Sequence, residues 1–499
     1  MKRIASIIAA AFLALLLAAC PRPDPPAGIP AHLREIMEAN RAIALPPFPE
    51  NFLELAGAFL TQGVTIAEHR RIQSLRPRVP LAQGQGFREI FPQNQPASRV
   101  THEEAAEDIL FLFDLMKYGY AGYQYFGGDD VFLPIRDSML ERLAGMPNPM
   151  TGIAFLDSVL APALRPAIAD NHFQLHNIDL GAPPGSPRMS GDFVLRPGPD
   201  GFVTVIDDAE HRLIEATLGD GQKVGGVLPT LTRDGEAAFA FGHFAAWDSW
   251  SDYEMSVVLE RSDTGERRQL EVTLRAMPNF AGGSVVFHEF EANGVPVVVN
   301  RTLSPELRLG EGAVRMRESG ESLRGEPVVV LDLRGHDGGY SYPMLAWMHA
   351  LTGSRPSGRA FASFGLPAMI GIAEGDGEWA ASFIGLDAPI LPNESLLIVL
   401  TDGNIASAGE LLVGRLRELE NVIFVGTNTK GVLVTAGIQR TKLPLSGLNI
   451  IYGSQLNLRP DLSQFEGLGF MPDLWVPPAE SLERVLAFIE RYGLLRGAQ

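Results

Sequence analysis

The chain has 499 residues, room for roughly three domains, and its 46% hydrophobic and 20% charged content is that of a globular protein with sizeable cores. Lys and Arg number 41 against 59 Asp and Glu, a formal charge of −18, which argues against nucleic acid or an anionic membrane surface as the main partner. Cys20 is the single cysteine, so no intramolecular disulfide can form.

At the N-terminus, Lys2 and Arg3 precede an apolar run from Ile4 to Ala19. That run is too short to span a membrane comfortably and suits a signal peptide over residues 1–19. It ends Leu17-Ala18-Ala19-Cys20, which resembles the lipobox of bacterial lipoproteins. The resemblance implies cleavage before Cys20, lipidation of its thiol, and a lipid anchor on the bacterial cell envelope facing periplasm or exterior. Each buried CH₂ contributes about 0.8 kcal/mol, so two or more acyl chains anchor stably. An ordinary secretory signal with an incidental cysteine is the alternative. Residues 20–31, rich in proline, read as a stiff tether.

The expected fold is multidomain α+β. Residues 32–180 read as a mostly helical domain, with helices near 32–43, 52–73, 131–144 and 152–160 and extended chain over 76–97. Thr101 and Glu104 have the spacing of a capping box ahead of an apolar face that includes Ile109, Leu112, Phe113 and Met116. Tyr118, Tyr120, Tyr123 and Tyr125 read as packing between helices. Residues 181–280 alternate short strands, such as 202–206, 256–260 and 269–274, with Gly/Asp turns, which predicts a β-rich module. It is loosely similar to a PDZ domain in length, strand-turn pattern and position along the chain. Residues 284–485 alternate strands (295–300, 327–333, 395–401, 422–425, 448–455) with helices (344–351, 407–419, 479–492). That pattern predicts an α/β core with a largely parallel sheet and a ligand site at the carboxyl ends of its strands. Residues 486–499 finish the last helix.

Four stretches carry candidate chemistry. Ser407, in Asn-Ile-Ala-Ser-Ala-Gly-Glu at 404–410, sits where an apolar strand meets a helix. The amide of Ala408 can there stabilise a developing negative charge, while Ser407 with Glu410 also reads simply as a capping box. Gly338-Gly339 follows the buried strand at 327–333 and lets backbone approach a ligand; neither GxxxxGK[ST] nor GxGxxG is present. His172, after Asp170 and Asn171, is a candidate general base, since a serine hydroxyl is inert at neutral pH without one. His176 lies four residues on, but no HExxH and no third ligand accompany the pair, so no metal is expected. Glu466, in a loop, is either a solvated turn residue or the group that orients an imidazole.

Four motifs recur in this order in one family: Asp-Leu-Arg-x-x-x-Gly-Gly at 332–339, Ala-Ser-Ala-Gly-Glu at 406–410, Val-Gly-x-x-Thr-x-Gly at 425–431 and Glu-x-x-Gly-x-x-Pro-Asp at 466–473. The chain resembles the C-terminal processing (tail-specific) peptidases, which include the tricorn core protease. That resemblance implies a serine endopeptidase with an oxyanion hole from Ala408 and the Gly338-Gly339 pair. In the tail-specific branch a lysine is the base, at the position held here by Val432. In the tricorn-like branch a histidine and a glutamate take that role, which His172 and Glu466 match, with Asp170 and Asn171 as possible orienting residues. The resemblance further implies a peptide or protein substrate and no cofactor. Two other readings stay open: Lys430 as base in a Ser407/Lys430 dyad, and a non-catalytic binding protein on the same scaffold. The sequence does not fix the oligomeric state.

Overall fold

A computed structural model describes residues 96–176, 178–182, 184–218, 226–246, 251–282, 286–302, 311–339, 342–353, 363–365, 391–457 and 466–495. The expected leader, Cys20, the tether and the helices at 32–43 and 52–73 lie outside these residues. No helix among the described residues is long and apolar enough to cross a membrane.

The helical region begins with α1 (His102–Gly119), α2 (Gly122–Tyr125) and α3 (Gly128–Leu143). Thr101 caps α1 as the spacing predicts: its Oγ1 accepts from Glu104 N at 3.2 Å, and its own N–H donates to the Glu104 carboxylate at 2.8 Å. The next stretch divides into α4 (Gly152–Phe155), a π-turn (Leu156–Leu160) and α5 (Ala161–Leu164). Ile109, Leu112, Phe113, Met116, Phe155 and Leu160 are buried in one cluster. Tyr120 and Tyr123 are buried between the helices, and each hydroxyl finds a carboxylate: Asp170 at 2.8 Å and Asp129 at 3.0 Å.

Strands β1 (Gln174–Leu175) and β2 (Ile178–Asp179) lead into the β-rich module, which holds β3 (Gly185–Met189), β4 (Arg196–Gly198), β5 (Gly201–Ile206), β6 (Ala209–Leu218), β7 (Val227–Leu231), β8 (Ala237–Ala246), β9 (Tyr253–Arg261) and β10 (Arg267–Ala276). These eight form one sheet in the order β4-β5-β6-β9-β10-β3-β8-β7, with antiparallel pairing throughout. The module is β-rich as its alternation predicts. Its described residues contain no helix, however, and a single eight-stranded antiparallel sheet is not the arrangement of a PDZ domain.

The α/β core contains β11 (Phe287–Ala292), β12 (Val295–Asn300), α6 (Glu311–Ser322), β13 (Val328–Asp332), α7 (Tyr342–Thr352), β14 (Ser363–Gly365), β15 (Leu396–Thr401), α8 (Ala408–Leu416), β16 (Val422–Gly426), β17 (Thr435–Lys442), β18 (Asn449–Asn457), β19 (Leu474–Trp475) and α9 (Ser481–Arg491). Its six-stranded sheet runs β11-β12-β13-β15-β16-β19, antiparallel only at β11-β12. Both faces are covered, which is why β13, β15 and β16 are apolar without alternation. One face packs on α6, α7 and α8 through Val329, Leu331, Leu397 and Val399. The other, with Val297, Val299, Val330, Ile398 and Leu400, shares a continuous core with Leu195, Phe241, Met255, Val257 and Leu259 of the module and with Phe488 of α9. Truncating one such buried aliphatic to alanine typically costs about 2–5 kcal/mol.

β18 departs from expectation. It pairs antiparallel with β17, β14 and β1 rather than joining the parallel sheet. The cause lies in its alternation: Leu448, Ile450 and Tyr452 point the same way, into the helical cluster.

Candidate active site

The carboxyl ends of β13, β15 and β16 converge, and the first job there is to hold two loops still. Asp332, at the end of β13, is buried and accepts from Arg334 (Nε 2.8 Å, Nη2 2.6 Å) and from Arg301 (Nη1 2.8 Å, Nη2 2.7 Å). Burial would raise its carboxyl, but the two guanidinium groups hold it below the ordinary aspartate value. Arg334 also donates to the Pro478 carbonyl at 2.5 Å and stacks 4.0 Å from the Phe280 ring centroid. Asp402, after β15, accepts from Gly335 N at 2.8 Å, Phe280 N at 3.0 Å and Asn404 N at 3.2 Å. The Gly-Gly loop and the serine turn are thus tied to one scaffold. Nothing in composition or spacing signals these ties except the Asp-Leu-Arg triplet itself.

Ser407 is the cap residue of α8 and has φ 52° and ψ −117°. A positive φ on a residue with a Cβ is strained, and such strain at a strand-to-helix turn pushes the side chain out of the sheet edge. Gly338, at φ +106°, lies against this turn. A Cβ there would sit 3.2 Å from both the Ala406 carbonyl oxygen and Ser407 Cβ, so only glycine allows the approach. Ala408 opens α8, and its N–H is one of the first-turn amides that a helix leaves without an intrahelical acceptor.

The Gly338 amide already has a partner within the protein. Its N–H donates to Nδ1 of His336 at 3.1 Å, so in this state it is engaged rather than presented to a ligand. His336 is fully buried, and Gly409 makes room for its ring: a Cβ on Gly409 would lie 2.4 Å from Nδ1. Burial pushes the imidazole down to about 4, which keeps it neutral and able to accept. Sequence reasoning missed His336, although its place two residues before Gly338 is that of a side chain that can accept the Gly338 amide.

His172, Asn171 and Asp170 approach from the helical region. Asp170 is fully buried and accepts from His172 N at 2.9 Å, Tyr120 Oη at 2.8 Å and Thr435 Oγ1 at 2.8 Å. Asn171 donates its side-chain N–H to the Gly431 carbonyl at 2.8 Å and its backbone N–H to Glu466 Oε1 at 2.6 Å. Glu466 therefore does not bond the imidazole. It grips the backbone one residue away, and also accepts from Leu433 N at 2.6 Å and Val434 N at 2.7 Å. Burial first, then the neighbouring Asp170 charge, pushes its carboxyl well above the ordinary value. Neither ring nitrogen of His172 has a hydrogen-bond partner, so ring and Ser407 hydroxyl are not bonded here. Burial and the charge of Lys430 push the imidazole down to about 4. At neutral pH it is uncharged, the form a base requires. Among the described residues no group of three or more His, Cys, Asp or Glu is placed to hold a metal ion.

Residues 310–476, about a third of the chain, match the model of peptidase family S41. The chain is a serine-type peptidase. No curated protein matches its sequence. Among solved structures, mature CPAF is 14% identical to the peptidase, covering 80% of this chain and 99% of that one at a TM-score of 0.40. The photosystem II D1 C-terminal processing protease is 15% identical, covering 77% and 97% at 0.33. The tricorn protease is 14% identical, covering 79% of the peptidase and 37% of its own chain at 0.35. At these TM-scores the likeness carries no argument about residues or reaction.

Proposed function

We propose that this peptidase is a serine endopeptidase of the cell envelope that cleaves through an acyl-enzyme on Ser407, with His172 as general base. The strained Ser407 turn, seated at the N-terminus of α8 with Gly338 against it, is the observation that carries the reading. Ser407 Oγ attacks the scissile carbonyl while His172 takes the hydroxyl proton. The protonated imidazole then gives that proton to the departing amine, and water resolves the ester by the reverse route. The Ala408 amide receives the oxyanion, joined by Gly338 once it leaves His336, with Gly339 beside it; one donor in such a hole is worth about 10²–10³ in turnover. Glu466 acts on the base through the Asn171 backbone. Closure of the His172 ring onto Ser407 accompanies substrate entry, since catalytic hydrogen bonds often tighten only in the Michaelis complex.

Replacing Ser407 with alanine is expected to abolish peptidase activity and fluorophosphonate labelling while the fold persists; labelling that survives in the variant sinks the assignment. Lys430 is the rival base, because its N–H donates to the Ile405 carbonyl at 2.8 Å, two residues before Ser407. Under the histidine reading His172→Ala loses labelling and Lys430→Ala keeps most of it, and the reverse result moves the role to Lys430. A Ser407 that reacts with no probe would overturn its role as nucleophile. Lipidation at Cys20 anchors the chain to the envelope in this reading, and palmitate incorporation that persists in Cys20→Ser would refute it.

A further inference from the structure

Between the serine turn and the histidine loop runs the segment 429–435, and its hydrogen bonds have an unusual owner. Four consecutive backbone N–H groups, Gly431 to Val434, donate to side-chain carboxylates rather than to backbone. Gly431 N reaches Glu410 Oε1 at 2.6 Å and Val432 N reaches Glu410 Oε2 at 2.7 Å. Leu433 N and Val434 N reach Glu466 Oε2 at 2.6 and 2.7 Å. Each glutamate has a second grip on one half of the candidate site. Glu410 accepts from Ser407 N at 3.2 Å and from Thr429 Oγ1 at 2.6 Å, while Glu466 accepts from Asn171 N, beside His172.

We propose that Glu410 is a positioning residue: with Glu466 it sets the register of Ser407 against His172 through the shared segment 431–434. This rests on the reading of Ser407 and His172 given above. A direct bond between the two side chains is absent in this state, so their separation is set by what each turn is tied to. Each is tied to one half of the same four-residue run, Ser407 through Glu410 to Gly431 and Val432, and the base side through Glu466 to Leu433 and Val434. Losing Glu410 leaves Glu466 holding the base side while the nucleophile side drifts; misplacement by about 1 Å can cost about 10²-fold.

The device is sensitive to pH. Glu410 is fully buried, and burial pushes its carboxyl up to about 7 against the pull of its four donors. Those donors come from its own turn (Ser407) and from the facing segment (Thr429, Gly431, Val432), and none of them is charged. The titratable groups around it are His336, packed on Gly409, exposed Lys430 in the facing segment, and Glu466, Asp170 and His172 on the far side of that segment. Protonation replaces an acceptor oxygen with a donor that faces N–H groups, so the tie weakens as pH falls through about 7. His172 charges only near 4, and Glu466 and Asp170, which burial also pushes up, are retained in a Glu410 variant, so the part of the acidic limb lost with Glu410 is its own.

The test follows the second-order rate of fluorophosphonate labelling at Ser407 from pH 5 to 9 in the full chain, with hydrogen exchange of the peptide spanning 429–435. Glu410→Gln is expected to label about 10²-fold more slowly at pH 8, to lose the acidic limb near 7, and to exchange faster at Gly431 and Val432. Thr429→Val keeps the carboxylate but removes one donor, so its acidic limb is expected to move to higher pH. A purely structural Glu410 would lower the active fraction and leave the profile unmoved. The proposal falls if Glu410→Gln labels within about threefold of wild type with the same limb. Should that variant not fold, an unmoved limb in Thr429→Val overturns the proposal in its place. A wild-type chain that does not label at Ser407 overturns the proposed function and this inference together.

Discussion

The two halves of the candidate site are built by different physics. The serine half is local: β15, a three-residue Asp402 tie, a strained turn and α8 follow one another within twenty residues of chain. The histidine half is assembled at long range, with Asn171 reaching Glu466 across 295 positions and Gly431 across 260. Local construction rests chiefly on backbone geometry and an apolar strand, and where the serine half reaches further it too uses buried carboxylates, Asp402 to Gly335 and Phe280 and Glu410 to Gly431 and Val432. Long-range construction here uses buried carboxylates, and so it inherits their sensitivity to protonation and to the loss of single side chains.

The largest break in that contrast should come from Glu466→Ala. It strips the acceptor from the Asn171, Leu433 and Val434 N–H groups, and leaving buried donors unpaired costs about 1–3 kcal/mol each, so roughly 3–9 kcal/mol of stability should go with the activity. Chemical denaturation of the variant checks this, and an unchanged midpoint would show that the histidine half is held some other way. Next in size is a pH effect with a definite sign. His172 has its folded value depressed from 6.5 to about 4, so the stability carried by the neutral ring is present above about 6.5 and lost as pH falls toward 4. The stability of wild type relative to His172→Gln should therefore decline over that window, by on the order of 3 kcal/mol. A difference independent of pH would remove His172 from its buried, uncharged place.

The serine half predicts a gain. Ser407→Gly removes the side chain that makes φ 52° costly, so the chain should unfold about 1 kcal/mol harder while losing all labelling. A destabilised glycine variant would mean that the turn stores no strain. The smallest effect concerns Lys430→Met. Without that charge the His172 value should rise from about 4 but stay below 6.5, since burial is the larger cause. Ring-carbon NMR titration reads it directly.

The contrast also explains what was legible in the sequence. Val295–Asn300 and Leu396–Thr401 are strands as the unbroken apolar runs predict, and Ser407 sits at the turn where a continuous apolar run gives way to a helical spacing. Helix α6 escaped notice because Glu-Gly-Ala-Val-Arg-Met-Arg-Glu-Ser-Gly-Glu-Ser carries almost no apolar stripe; Met316, Ser319 and Gly320 are its only buried residues. The surroundings of Glu466 were half visible. A loop carboxylate in the right order along the chain points to the base, but its true partners are amides of residues 171, 433 and 434, and amide partners leave no mark on side-chain identity. Glu410 read as half of a capping box, which it is; its hold on Gly431 and Val432 depends on a fold that no local pattern encodes. The PDZ-like resemblance of the module rested on length and turns, quantities that an eight-stranded antiparallel sheet satisfies equally well.

That module carries one more implication. Because its leucines and phenylalanines share a core with the valines of the parallel sheet, it is a layer of the enzyme and not an appendage on a hinge. It cannot swing away without exposing Val297, Val330, Ile398 and Leu400 to water. Access to Ser407 is therefore a matter for loops. Any signal that reaches the module from outside must arrive at the Ser407 edge as a slight shift of strands, in the manner of a soundboard rather than a door.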